Sequence, residues 1–104
     1  MDFGLRPQDL AEIIGLIRQF SDIEETVIFG SRAKGNYKKG SDIDIAIKGE
    51  KISREDIVSL ADLLNEESIL PYYFDIVHYD AITEKALTEH IDRVGKTIYL
   101  RETM

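Results

Sequence analysis

A small α/β domain is what this chain of 104 residues predicts, and three observations predict it. Helix-like and strand-like apolar periodicities alternate along it, the connections between them are short, and no repeat or low-complexity tract interrupts the alternation. The length suits one hydrophobic core under a mixed sheet of three to four strands with about four helices, and leaves no room for a second; residues 1–104 are read as a single domain.

From the N-terminus, Leu10, Ile13, Ile14, Ile17 and Phe20 recur at helical spacing behind Pro7, which suits a first helical turn, so a helix is expected over 7–20. Residues 26–29 read as a buried strand that Gly30 ends, and the SRAK segment as a turn of helix before a loop from Gly35 to Gly40. Residues 41–48 form the second strand. Ser53 and Asp56 have capping-box spacing, and Ile57, Leu60, Ala61 and Leu64 supply one apolar stripe for a helix ending near Glu66. Pro71 closes that connection. Residues 73–79 make the third strand, with Asp75 in its middle; 83–94 make the last helix, and 96–101 a short final strand.

Composition narrows the class. At 43% hydrophobic residues the chain is ordinary for a folded protein, and no apolar run approaches the roughly 20 residues of a membrane span. The start, MDFGLRPQDL, lacks the basic-then-apolar pattern of a secretory signal, so a cytoplasmic location is the default expectation. The absence of cysteine excludes disulfides and thiolate metal sites. A net charge of −7 argues against a chain that coats nucleic acid, yet Arg32, Lys34, Lys38 and Lys39 fall in a stretch without an acid. That stretch would attract a polyphosphate.

It ends at the most informative feature, Asp42-Ile43-Asp44. On a strand, side chains alternate between faces, so Asp42 and Asp44 project together while Ile43, Ile45 and Ile47 point the other way. Like charges roughly 7 Å apart are costly without a cation, and hard ions such as Mg²⁺ take oxygen ligands and keep waters or phosphate oxygens. Asp75, disfavoured in a strand and expensive to bury among bulky neighbours, has metal ligation as one explanation and a place on a solvated face or edge as the other. Competing motifs fail: the lysine of a P-loop is missing after Gly40, and Ala46 and Ile47 break a calcium-loop pattern. His78 and His90 do not have the spacing of a zinc pair on one helix, and His90 on an apolar stripe reads as a packed histidine. Tyr72, Tyr73 and Tyr79 read as cover for the sheet.

Gly30-Ser31, ten intervening residues, Asp42-Ile43-Asp44 and the later strand carboxylate Asp75 resemble the nucleotidyltransferase superfamily typified by DNA polymerase β, and the size resembles its minimal bacterial and archaeal members. The resemblance implies that Asp42, Asp44 and Asp75 are catalytic and hold Mg²⁺, in two ions. Asp42 and Asp44 would bridge an ion to the triphosphate of ATP or another NTP, and Asp75 would hold the second ion or the attacking hydroxyl. Gly30 and Ser31 would bind phosphate oxygens at a helix start, with Arg32, Lys34, Lys38, Lys39 and Ser41 as further nucleotide contacts.

Minimal members of this kind resemble antitoxins paired with a helical HEPN toxin. That resemblance implies transfer of AMP to a toxin tyrosine. It leaves two alternatives: a binding module that blocks the partner without chemistry, and the catalytic subunit of a two-protein enzyme modifying a small molecule. No membrane is expected as a partner, and a nucleic acid is disfavoured as a direct one.

Overall fold

The computed structural model describes residues 3–102. Helix α1 (Pro7–Ile17) starts on proline and buries Ile13 and Ile17. Its regular turns stop earlier than the apolar pattern, because Gln19 and Phe20 bond back only three residues, to Leu16 and Ile17, and tighten the chain. Strand β1 (Glu25–Phe29) leads directly into the single-turn helix α2 (Gly30–Lys34). Strand β2 (Ile43–Lys48) comes after the basic loop. Helix α3 (Arg54–Asp62) opens on the expected capping box, with Ser53 and Asp56 exchanging bonds of 3.0 Å, and continues as a wider π turn over Leu63–Glu67. Strand β3 (Phe74–His78), a short 3₁₀ turn, helix α4 (Lys85–Val94) and strand β4 (Lys96–Leu100) complete the chain.

The four strands form one sheet in the order β3-β2-β1-β4. β2 and β3 run parallel, joined by the crossover through α3, and the other two pairings are antiparallel. Alternation then sorts the side chains. Ile28, Ile43, Ile45, Ile47 and Phe74 share the larger core with Ile13 and Ile17 of α1 and Leu60 of α3. Val27, Phe29 and Ala46 face the other way and pack with Ile91 of α4. The expected mixed sheet with flanking helices is therefore present, with helices on both faces.

Several strand boundaries differ from the expected ones: β1 starts one residue earlier at Glu25, β3 one later at Phe74, and β4 ends one earlier at Leu100. Strand pairing near the acidic residues begins at Ile43, whose N–H donates to the Tyr73 carbonyl, so Ser41 and Asp42 stand just outside the ladder and not within the strand as expected. Tyr79 likewise leaves the third strand for the 3₁₀ turn.

Candidate nucleotide-transfer site

Register brings the strand carboxylates together. Asp44 pairs with Asp75 across β2 and β3 and with Phe29 across β2 and β1, so the three side chains share the α4 face of the sheet. Adjacent strands lie about 4.8 Å apart, close enough for the two carboxylates to feel one another. Asp42 stands two residues before Asp44, exposed at the mouth of the strand.

The electrostatics record this crowding. Burial pushes the Asp44 carboxyl above its ordinary range, repulsion from Asp75 and then Asp42 pushes it further, and the His90 imidazole opposes them. Sequence reading assigned His90 to packing, and its ring does sit edge-on to Phe29, with centroids 6.0 Å apart and planes at 81°. Its nearness to Asp44 went unread, although the helical stripe of Leu87, His90, Ile91 and Val94 lies on the face that carries Asp44.

The Gly-Ser turn closes the other side. Gly30 has φ +72°, and a Cβ built on it would collide with a carboxylate oxygen of Asp44. Only glycine permits both the left-handed backbone and this approach. Ser31 sits next, in the first turn of α2, where backbone N–H groups have no partner within the helix. The Gly30-Ser31 turn and the Asp44 carboxylate are thus adjacent, as the motif spacing predicts.

The remaining candidates divide. Lys34, Lys38 and Lys39 are exposed around the loop. The Ser41 hydroxyl accepts a bond from the Lys38 N–H at 2.8 Å. Arg32 does not project among the lysines as a phosphate ligand would; it is 3% exposed, its Nε, Nη1 and Nη2 donating to backbone carbonyls. The physical reason is the helical turn, which directs residue 32 inward beside Ala33. A surface cavity of about 530 Å³ lies on this side of the loop, lined by Arg32, Tyr37, Lys38, Lys39, Pro71 and Tyr72 and not by the carboxylates. Nothing in the sequence pattern separated Arg32 from the lysines, since burial depends on contacts from Phe3 and Tyr72.

Among the described residues, no three His, Cys, Asp or Glu side chains are already gathered closely enough to hold a metal by themselves. Asp44 and Asp75, which repel one another across neighbouring strands, offer the oxygen donors that Mg²⁺ takes together with substrate phosphates and water. Hard oxygen donors with mutual repulsion suit that ion.

Comparison with known proteins decides the family: residues 11–104 match the family described as Polymerase beta, Nucleotidyltransferase. The chain belongs to the polymerase β nucleotidyltransferases. A similar curated nucleotidyltransferase, the probable protein adenylyltransferase MntA of Haemophilus influenzae, is 35% identical over 102 residues, covering 94% of this chain and 85% of that protein. A toxin–antitoxin crystal structure with AMP-PNP superposes with a TM-score of 0.75 at 25% identity, covering 90% of this chain and 75% of that one. The fold also matches a complex described as tri-AMPylated Shewanella oneidensis HEPN toxin with MNT antitoxin, with a TM-score of 0.71 at 22% identity, covering 93% of this chain and 74% of that one. Among the described residues of this nucleotidyltransferase, no helix is long and apolar enough to cross a membrane.

Proposed function

We propose that this nucleotidyltransferase transfers AMP from ATP to a hydroxyl, of the tyrosine class, on a helical HEPN-type protein and thereby acts as its antitoxin. The observation that carries the reading is the convergence of Asp44 and Asp75 in paired register, with Asp42 beside them, against the Gly30-Ser31 turn. The relatives support the acceptor: one is a probable protein adenylyltransferase, and others are antitoxins crystallised with a toxin, one with AMP-PNP.

Asp42 and Asp44 would hold Mg²⁺, with Asp75 holding a second ion or the attacking hydroxyl. Bound there, the ion neutralises triphosphate charge and makes the α-phosphorus more electrophilic. The chain's own groups do the rest. Backbone N–H groups of the Gly30-Ser31 turn and the Ser31 hydroxyl hold β- and γ-phosphate oxygens, and Lys34, Lys38, Lys39 and Ser41 border the path of the leaving pyrophosphate. The acceptor oxygen forms its bond to the α-phosphorus as the bond to the β-phosphate oxygen breaks, and Asp75, exposed on the edge strand, takes the hydroxyl proton. The whole of residues 1–104 acts as one minimal domain, with the acceptor supplied by another chain.

The test is incubation of the purified chain with Mg²⁺, a HEPN-type partner and ATP labelled at the α- or the γ-phosphate. The α-label is expected on the partner and the γ-label in pyrophosphate. Partner inhibition without α-label on it, by wild type and by an Asp42→Asn/Asp44→Asn double variant alike, would replace this reading with a non-catalytic antitoxin.

A further inference from the structure

A buried arginine ordinarily has a carboxylate partner, and Arg32 is not paired with an acid among the described residues. Its Nε and Nη2 both donate to the Ser41 carbonyl, at 3.1 and 2.7 Å, and Nη1 donates to the Phe3 carbonyl at 2.8 Å. The rings of Tyr37 and Tyr72 lie 5.3 Å from the guanidinium carbon, so aromatic faces take the place of an anion. Tyr72 is itself fixed, donating its hydroxyl to buried Asp9 at 2.8 Å, and Asp9 is gripped by both Nε and Nη2 of Arg6. A continuous chain of contacts therefore runs from the start of α1 to the peptide before Asp42.

That peptide needs an anchor. Asp42 lies outside the sheet ladder, and the loop before it turns through Gly35 and Gly40, both at φ +86°. Its own bonds are local, from Ser41 N–H to the Lys38 carbonyl and from Lys38 N–H to the Ser41 hydroxyl. Arg32 ties the loop to the body of the fold immediately before the carboxylate.

We propose that Arg32 is a positioning residue: its guanidinium seats the Ser41 peptide and so sets where Asp42 stands relative to Asp44. The proposal rests on the transfer reading for its consequence, not for its geometry. A planar fork delivering two N–H groups to one carbonyl is specific to arginine, and lysine would keep the charge without the fork.

The experiment compares wild type, Arg32→Lys and Arg32→Ala, each checked by thermal melting. In Arg32→Lys, kcat for nucleotide transfer is expected to fall about 10- to 100-fold, the penalty of a displaced reacting group. Binding of AMP-PNP in EDTA should change by less than about twofold, because that arm reads phosphate contacts without the metal. Methylguanidinium should restore part of the rate to Arg32→Ala and none to Arg32→Lys. An unchanged kcat in a folded Arg32→Lys overturns the proposal, as does metal-free AMP-PNP affinity falling as far as kcat, which would make Arg32 a direct phosphate ligand. Unfolding of both variants also overturns it, assigning Arg32 to global stability. A wild-type chain that transfers nothing refutes the transfer reading alone. Amide exchange of residues 36–42 then decides: acceleration of about tenfold or more in Arg32→Lys at an unchanged melting temperature supports the clamp, and unchanged exchange removes it.

Discussion

Asp44 holds its proton more tightly than an ordinary aspartate because burial, Asp75 and Asp42 all penalise its charge, against the opposing pull of His90. For an acid whose pKa is raised by folding, the unfolded chain binds fewer protons above the ordinary value of 3.8, so stability is lost as pH rises through that window. Asp44→Asn is accordingly expected to raise the melting temperature of the metal-free chain at pH 7, with the gain shrinking toward pH 4, while transfer falls about 10³-fold or more. Mg²⁺ with nucleotide should stabilise wild type more than the variant. Melting curves across pH, with and without Mg²⁺, check the sign. At Gly30 an alanine meets both a left-handed backbone and the Asp44 carboxylate. Gly30→Ala is expected to cost about 1–2 kcal/mol in denaturant unfolding and to lower transfer in the folded fraction as well. These residues were legible beforehand because motif spacing and strand parity are local. Arg32 was not, since the Phe3 carbonyl and the Tyr72 ring that enclose it come from distant parts of the chain.

Elements announced by local chemistry were read correctly. Ser53 and Asp56 cap α3 as their spacing implied, and the apolar stripe of Leu60 and Leu64 packs as expected. Ser53→Ala should cost about 1 kcal/mol and leave transfer unchanged, because α3 covers the sheet face opposite Asp44; denaturant melts paired with an activity assay check this. Boundaries set by distant partners were read less well. The π turn at the end of α3 brings Asn65 alongside β3, where its amide donates to the Phe74 carbonyl at 2.9 Å and accepts the Phe74 N–H at 2.7 Å. Neither bond leaves a trace in local periodicity. The start of β2 at Ile43 is likewise decided by Tyr73 across the sheet.

At the scale of the molecule, one sheet separates two apolar layers, and the candidate site lies at the end of the α4 side where that layer gives way to carboxylates. The larger layer is therefore a test of fold without chemistry. Ile45 is fully buried beside Asp44 in sequence but on the other face. Ile45→Ala should cost about 2–5 kcal/mol in denaturant unfolding, a large share of the roughly 5–15 kcal/mol typical of a domain, while the folded fraction keeps its kcat. The proposed acceptor was beyond what composition or periodicity can express, because it would belong to another chain; the resemblance and the relatives suggest it.

The proposed nucleotide transfer would require that a divalent cation and a triphosphate meet the carboxylates beside the Gly30-Ser31 turn. An anomalous-difference map of crystals grown with AMP-PNP and Mn²⁺ would locate both at once. A manganese peak in contact with Asp42 and Asp44 is expected, with Asp75 facing it and the β- and γ-phosphates on the turn. A peak elsewhere, or a triphosphate seated in the Tyr37–Tyr72 cavity with the carboxylates bare, would contradict the assignment.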